Sequence, residues 1–278
     1  MVSPRFRGVA AGDQLGNLEY LIDEALVSEY ARVAGESARY ANLMADDCRS
    51  IVAARLCGDG LKVVWRRFEF LRPPIPGRRV QVGAWLKDVG ETRGTPWFRV
   101  SAFAVDEIGT EILRSEAALL AGDRGGNPDR EVHADCGRST NEAECGFEGR
   151  VGESVAFGKL AVPGAKAFDA YQKLCNNLSG TENQSTNAGT GQLLAGWLEG
   201  RLAWHFGDDF RWGGRLSLAY QAPIAPGDMI AADAVVIDQD RDHYGTVAIR
   251  LTLRAWNQRN ESVALGGASV DIPSPRLL

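Results

Sequence analysis

Between Gly191 and Phe206 the apolar residues Leu194, Trp197, Leu198, Leu202 and Phe206 recur three and four positions apart, the period of a helix. Only Glu199, Arg201 and the glycines Gly196 and Gly200 interrupt this apolar character, so the helix is predicted to be wrapped on most sides. A polar stretch beginning at Ser179 runs into it, and such an entry presents free backbone amides to a carbonyl oxygen or an anion. Further helices are predicted over residues 23–34, 39–56 and 167–178. Runs of Val, Ile, Phe and Trp in partial alternation predict strands over 62–71, 79–89, 97–105, 111–120, 215–222, 229–238, 246–256 and 262–271. Residues 121–150 are rich in Gly, Asp, Arg, Asn and Glu and almost free of large apolar side chains, the signature of a linker.

The pattern repeats. The segment from Phe70 to Gly77, FLRPPIPG, aligns with YQAPIAPG from Tyr220 to Gly227, 150 positions later. Gly12-Asp13 aligns with Gly152-Glu153 at the shorter spacing of 140, so the second half has gained residues after Gly180 and before its strands. Each half reads as a lead-in, two helices and four strands, which implies an antiparallel sheet wrapped on a buried helix. The halves are expected to span Gly8 to Gly122 and Arg150 to Pro273, with 123–149 between them. Pairing the two sheets edge to edge would remove an exposed strand edge from each.

Composition narrows the functions. The 278 residues are 45% hydrophobic and 24% charged, as in a soluble globular protein, and the net charge of -5 argues against a nucleic-acid partner. No apolar run reaches the length of a membrane span, and the first residues lack a signal-peptide core, so a cytoplasmic protein is expected. The five cysteines are then expected to be free thiols. His133, Asp135, Cys136 and Cys145 have zinc-binding side chains, but their spacing matches no zinc pattern and no metal is expected.

Four stretches carry a resemblance: VGESVAFGKL (151–160), FDAYQKLCNNLSGTEN (168–183), LSLAYQAPIAPGDMI (216–230) and NQRNESVALGGASV (257–270). Together they resemble the MaoC-like hydratase and dehydratase family. That resemblance implies an α+β double hotdog fold and activity on acyl thioesters of coenzyme A or acyl carrier protein. It also implies catalysis by an Asp and a His in a Gly-Asp-x-Asn-Pro-x-His loop, with no cofactor beyond the substrate's own carrier. A homodimer is the candidate assembly, and neither a nucleic acid nor a membrane is an expected partner.

This chain departs from the pattern at those two positions. Thr181 stands in place of the Asp and Thr186 in place of the His, while Gly180 and Asn183 match. The first half keeps an acid at Glu36 but has Ala41 at the His position. Chemistry at this site would therefore fall to Glu182, Asn183 and Ser185, with Glu182 as the base if burial raises its pKa. Thr181, Thr186, Gly189 and Gly191 would contact the substrate from the second half, and Glu36, Tyr40, Asn42, Asp46 and Asp47 from the first.

Other side chains compete for a role. Asp46 or Asp47 would serve a thioesterase-like hydrolase, and as sequence neighbours on a helix at most one is expected to point inward. His133 and His243 read as solvated, and His205 as packed near the helix C-terminus. Trp197, Trp204 and Trp212 are expected in the core. Arg66, Arg67, Arg72, Arg78 and Arg79 would meet coenzyme A phosphates or guard a sheet edge. A lyase-type enzyme on an acyl thioester or a polyketide-like substrate is the leading expectation, followed by the hydrolase and by a non-catalytic binder of an acyl chain or partner.

Overall fold

The structure is a computed structural model that describes residues 8–34, 40–56, 61–92, 94–121, 149–167, 169–170, 173–174 and 190–273. The first half contains β1 (Gln14–Leu21), α1 (Glu24–Ala34), α2 (Tyr40–Leu56), β2 (Leu61–Phe70), β3 (Arg79–Thr92), β4 (Thr95–Asp106) and β5 (Glu111–Ala121). The second contains β6 (Ser154–Ala161), α3 (Thr190–Phe206), α4 (Asp208–Arg211), β7 (Arg215–Tyr220), β8 (Met229–Arg241), β9 (Val247–Asn257) and β10 (Ser262–Ile272). The lead-in segments are thus strands. The predicted strands and central helices are present within a few residues of their expected ends.

All ten strands form one sheet in the order β1-β3-β4-β5-β2-β7-β10-β9-β8-β6. Each half therefore has the same internal order, and the halves join where β2 pairs antiparallel with β7, Phe68 opposite Leu216. Gly266 keeps β10 close to β7, since a Cβ there would lie 2.1 Å from the Ser217 carbonyl oxygen. The outer strands β1 and β6 are each broken by a bulge at a glycine of positive φ, Gly16 at 121° and Gly158 at 80°, a break that discourages pairing with another chain.

The repeated proline-glycine segment has a structural reason. Gly77 and Gly227 both adopt φ of 88°, and their amides donate to the carbonyls of Ile22 and Val162, the residues that follow the outer strands. Each turn thus pins the end of an edge strand, and Ile22 and Val162 are buried beneath. The central helices α2 and α3 lie 150 positions apart at both ends, whereas β1 and β6 lie 140 apart, so the second half's extra residues precede Thr190.

Two expectations about burial change. Strand β2 is central, paired with β5 on one side and β7 on the other, so it guards no edge. Alternation along it turns Arg66, Phe68 and Phe70 inward together and leaves Arg67 exposed. Trp197 is in the core as expected, but Trp204 is 72% and Trp212, which caps the short helix α4, 56% exposed. His205 is half-buried against Phe157, with ring centroids 5.8 Å apart, and His243 is exposed on Tyr244.

Candidate functional site

The N-terminus of α3 is held by the last residue of β7. The Tyr220 hydroxyl donates to the Gly191 carbonyl at 2.7 Å, and a Cβ on Gly191 would lie 2.9 Å from the Tyr220 ring. Close approach, then, is why glycine stands there. The next residue, Gln192, is 3% exposed, and neither atom of its side-chain amide has a hydrogen-bond partner among the described residues. Buried polar groups are rarely left so.

Charge from the first half reaches this end of α3. Along α2 every side chain from Leu43 to Val52 is buried, because the helix packs against β1, β3, β4 and β5 and also against α3. Asp46 and Asp47 are consequently both fully buried, which corrects the expectation that at most one could face inward; neighbours need not share a face when no face meets water. Asp46 pairs with Arg49, Oδ1 to Nε 3.5 Å, one turn along the helix. Arg66 rises from β2 beneath them, 2% exposed, and its Nη2 donates to the Ala45 carbonyl at 3.0 Å. Its Nε and Nη1 have no hydrogen-bond partner among the described residues, and the guanidinium carbon lies 5.3 Å from the centre of the Phe68 ring.

These groups shift one another. Burial pushes the Tyr220 phenol up to about 12, with Arg66 pulling it down and Asp46 adding to the rise, so at neutral pH it is an uncharged donor. Burial lowers the Arg66 pKa, and Asp46 opposes the shift. Burial likewise raises the Cys48 thiol far above its ordinary range. The Asp47 carboxyl is raised well above its usual value by burial, Tyr20 opposing and Asp46 reinforcing.

That last shift has a testable sign. Asp47 binds its proton more tightly folded than unfolded, so the stability it lends is present below the unfolded pKa, near 4, and is lost as pH rises toward the folded value. Asp47→Asn, which keeps the shape without the charge, is expected to match the parent near pH 4 and to melt higher at pH 7. Thermal melts across that range decide it. A variant that melts lower at pH 7, or a difference independent of pH, would show that Asp47 is held ionised.

Beside this cluster a cavity opens between α2 and the inner face of β2, β4 and β5. It is lined by Cys48, Arg49, Val52, Arg66, Val100 and Leu119 among others. It is narrow: about 10 Å³, room for one water molecule, within about 280 Å³ of free space that includes its open mouth. The apolar wall suits an acyl group, and the two guanidiniums add a positive end.

Of the residues expected to carry chemistry, Thr181, Glu182, Asn183, Ser185, Thr186 and Gly189 lie outside the described residues, as do Glu36, His133, Asp135, Cys136 and Cys145 and the side chains of Tyr40 and Asn42. Gly191 sits at the start of α3, held by Tyr220. Asp46 and Asp47 are brought to the charge cluster, though neither lines the cavity. Tyr220 and Gln192 are not among the residues expected from the sequence, and Arg66 is expected only as one of five arginines on coenzyme A phosphates or a sheet edge, whereas it is buried beneath α2. The repeat did hold a signal for two of them: 150 positions on, Arg66 corresponds to buried Leu216, and Tyr220 corresponds to Phe70. A polar side chain facing an apolar one across a repeat marks a departure from pure packing. Among the described residues, no group of three or more His, Cys, Asp or Glu side chains could hold a metal, and no helix is long and apolar enough to cross a membrane.

No protein-family model matches the chain, and no curated protein matches it in sequence. Solved structures do match along nearly its whole length. A putative MaoC domain protein dehydratase from Chloroflexus aurantiacus J-10-fl superposes with a TM-score of 0.69 at 13% identity, covering 96% of this chain and 97% of the other. A MaoC-like dehydratase superposes with a TM-score of 0.64 at 14% identity, covering 94% and 97%. A conserved hypothetical protein from Mycobacterium tuberculosis with a double hotdog fold gives 0.62 at 12%, covering 97% and 98%. The ten-stranded sheet over two central helices, matched along nearly its whole length by these structures, is the double hotdog fold.

Proposed function

We propose that this protein is a lyase-type enzyme that adds water to, or removes it from, the 2,3 bond of an acyl thioester or a related polyketide-like substrate, with a site other than the usual Asp and His pair. The observation that carries the reading is the meeting of the two halves at the N-terminus of α3. There Tyr220 of the second half is tied to Gly191 and stands within the field of Arg66 and Asp46 of the first. A carbonyl placed at that helix end would meet backbone amides and their dipole, the kind of stabilisation an enolate requires.

In hydration, the Glu182 carboxylate takes a proton from water as the oxygen bonds to carbon 3 of the enoyl thioester. The electron pair of the double bond moves toward the thioester oxygen, stabilised by the amides near Gly189 to Gly191. The proton held by Glu182 then passes to carbon 2 as the enolate collapses, which restores the carboxylate and completes the product; dehydration runs the same steps backward. Asn183 and Ser185 orient the water, while Thr181, Thr186, Glu36, Tyr40 and Asn42 border the acyl thioester. The substrate carrier is coenzyme A or acyl carrier protein, the setting cytoplasmic, and the assembly a homodimer. The thioesterase-like alternative draws less support, since Asp46 is engaged by Arg49 and neither aspartate lines the cavity.

Purified protein is expected to interconvert enoyl and 3-hydroxyacyl thioesters, followed by loss or gain of enoyl absorbance across a panel on coenzyme A and on acyl carrier protein. A panel that is neither turned over nor bound would overturn the lyase reading. Release of free thiol without a change at the double bond would favour the hydrolase.

A further inference from the structure

We propose that the cavity between α2 and the first-half strands binds the anionic end of an acyl group, and that Arg66 is the residue that holds its carboxylate. The inference rests on the acyl-thioester reading for the rest of the substrate, but its own ground is separate. Arg66 is 2% exposed and lines the cavity, and among the described residues Nε and Nη1 are unpartnered while Nη2 donates to the Ala45 carbonyl. Nη2 gives one hydrogen to Ala45 and keeps a second, which lies parallel to a hydrogen of Nε or of Nη1, so one edge of the planar fork is left to meet the two oxygens of a carboxylate.

Charge balance points the same way. The charged groups that act on Arg66 are Asp46 and Arg49, one anion and one further cation. Asp46 is already paired with Arg49, and burial favours the protonated form of Asp47, so among the described residues Arg66 leaves one positive charge in excess in a buried place. An uncompensated buried charge is costly, and a monoanion cancels it. The Phe68 ring beneath Arg66 offers a weaker electrostatic partner and does not occupy the in-plane donors. Around the guanidinium the walls are Val52, Val100, Ala102 and Leu119, which fit methylene groups. The second half has no counterpart, since buried Leu216 stands where Arg66 would.

The acyl group implied is short, with a carboxylate at the end away from the thioester. Its head would displace the one water the enclosed part of the cavity can hold, with one oxygen there and the rest of the acyl group in the open mouth. A plain alkyl chain would instead leave Arg66 buried and unmatched, so the site discriminates against it.

Two binding measurements on the full chain separate this inference from the one beneath it. In the first, calorimetric titration at pH 7 compares propionate with propionamide, which has nearly the same shape and no charge. The parent is expected to bind propionate at least tenfold more tightly, about 1.4 kcal/mol, and Arg66→Met is expected to lose that preference. In the second, succinyl-coenzyme A is compared with butyryl-coenzyme A, with the same tenfold preference in the parent and none in Arg66→Met. Arg66→Lys keeps the charge without the planar fork, and should keep part of the preference even if the Met variant folds poorly.

Equal affinity for the charged and neutral partners in the parent, or a preference that survives in Arg66→Met, overturns the inference. Thioesters that bind without discrimination sink the anion site and leave the lyase reading standing. Propionate bound through Arg66 with no thioester bound at all does the reverse.

Discussion

Glu182→Gln is expected to lower turnover of an enoyl or 3-hydroxyacyl thioester by about 10² to 10⁴, the usual contribution of a positioned acid or base. Glutamine keeps the size and hydrogen-bonding reach of glutamate but cannot accept the proton that water must lose. The loss should therefore fall on kcat, with KM nearly unchanged, because the ground-state contacts persist. Neither described histidine gives a ready replacement. His205 lies at the far end of α3, packed on Phe157, and His243 is exposed in a hairpin turn. A Glu182→Gln enzyme with full kcat would remove Glu182 from the chemistry. Attention would then pass to Tyr220, the polar group that the fold holds at the helix entrance.

The second large effect concerns stability. Asp46→Leu is expected to destabilise the protein by about 3–5 kcal/mol, the range for breaking a buried ion pair from one side. Arg49 and Arg66 would then face each other with no anion between them. Against a typical total of about 5–15 kcal/mol, such a loss brings the fold near its limit. Asp46→Leu combined with Arg49→Met should recover most of it, since both charges of the pair leave together. Urea titrations of the parent, both single variants and the double variant complete the cycle. An Asp46→Leu protein as stable as the parent would mean that the pair contributes nothing and that Arg66 has another counter-charge.

Much of the fold is legible in the residues. Alternation in β2, with Arg66, Phe68 and Phe70 on one face, is a local consequence of strand geometry and needs no knowledge of the partner strand. The Pro-rich segments ending at Gly77 and Gly227 mark equivalent turns because a φ of 88° favours glycine wherever it recurs. The helical period of α3 foretells a helix enclosed on most sides, and Gln192 to Gly200 are indeed all buried.

The candidate site is less legible, for a physical reason. Asp46 and Asp47 look like residues of an exposed helix, and charge in a helix is ordinarily solvated. Here α2 is enclosed by the sheet and by α3, so both carboxyls lose water, one taking an arginine and the other shifted by burial toward its protonated form. Sequence spacing carries no information about what packs on the second side of a helix. The basic run from Arg66 to Arg79 misleads in the same way. On an edge strand those charges would be protective, but pairing of β2 with β7 makes the strand central and turns Arg66 into a buried cation.

The chain by itself determined the elements, their duplication and the polar entrance to α3, because periodicity, turn chemistry and self-similarity are local or directly comparable along the sequence. Tertiary structure alone decided that β2 and β7 fuse the halves into one sheet and that α2 and α3 lie together beneath it. It alone brought Tyr220, Gly191, Arg66 and Asp46 to one place from segments up to 174 positions apart. Burial and charge neutralisation depend on everything that surrounds a group, and that sum exists only once the sheet has closed around both helices.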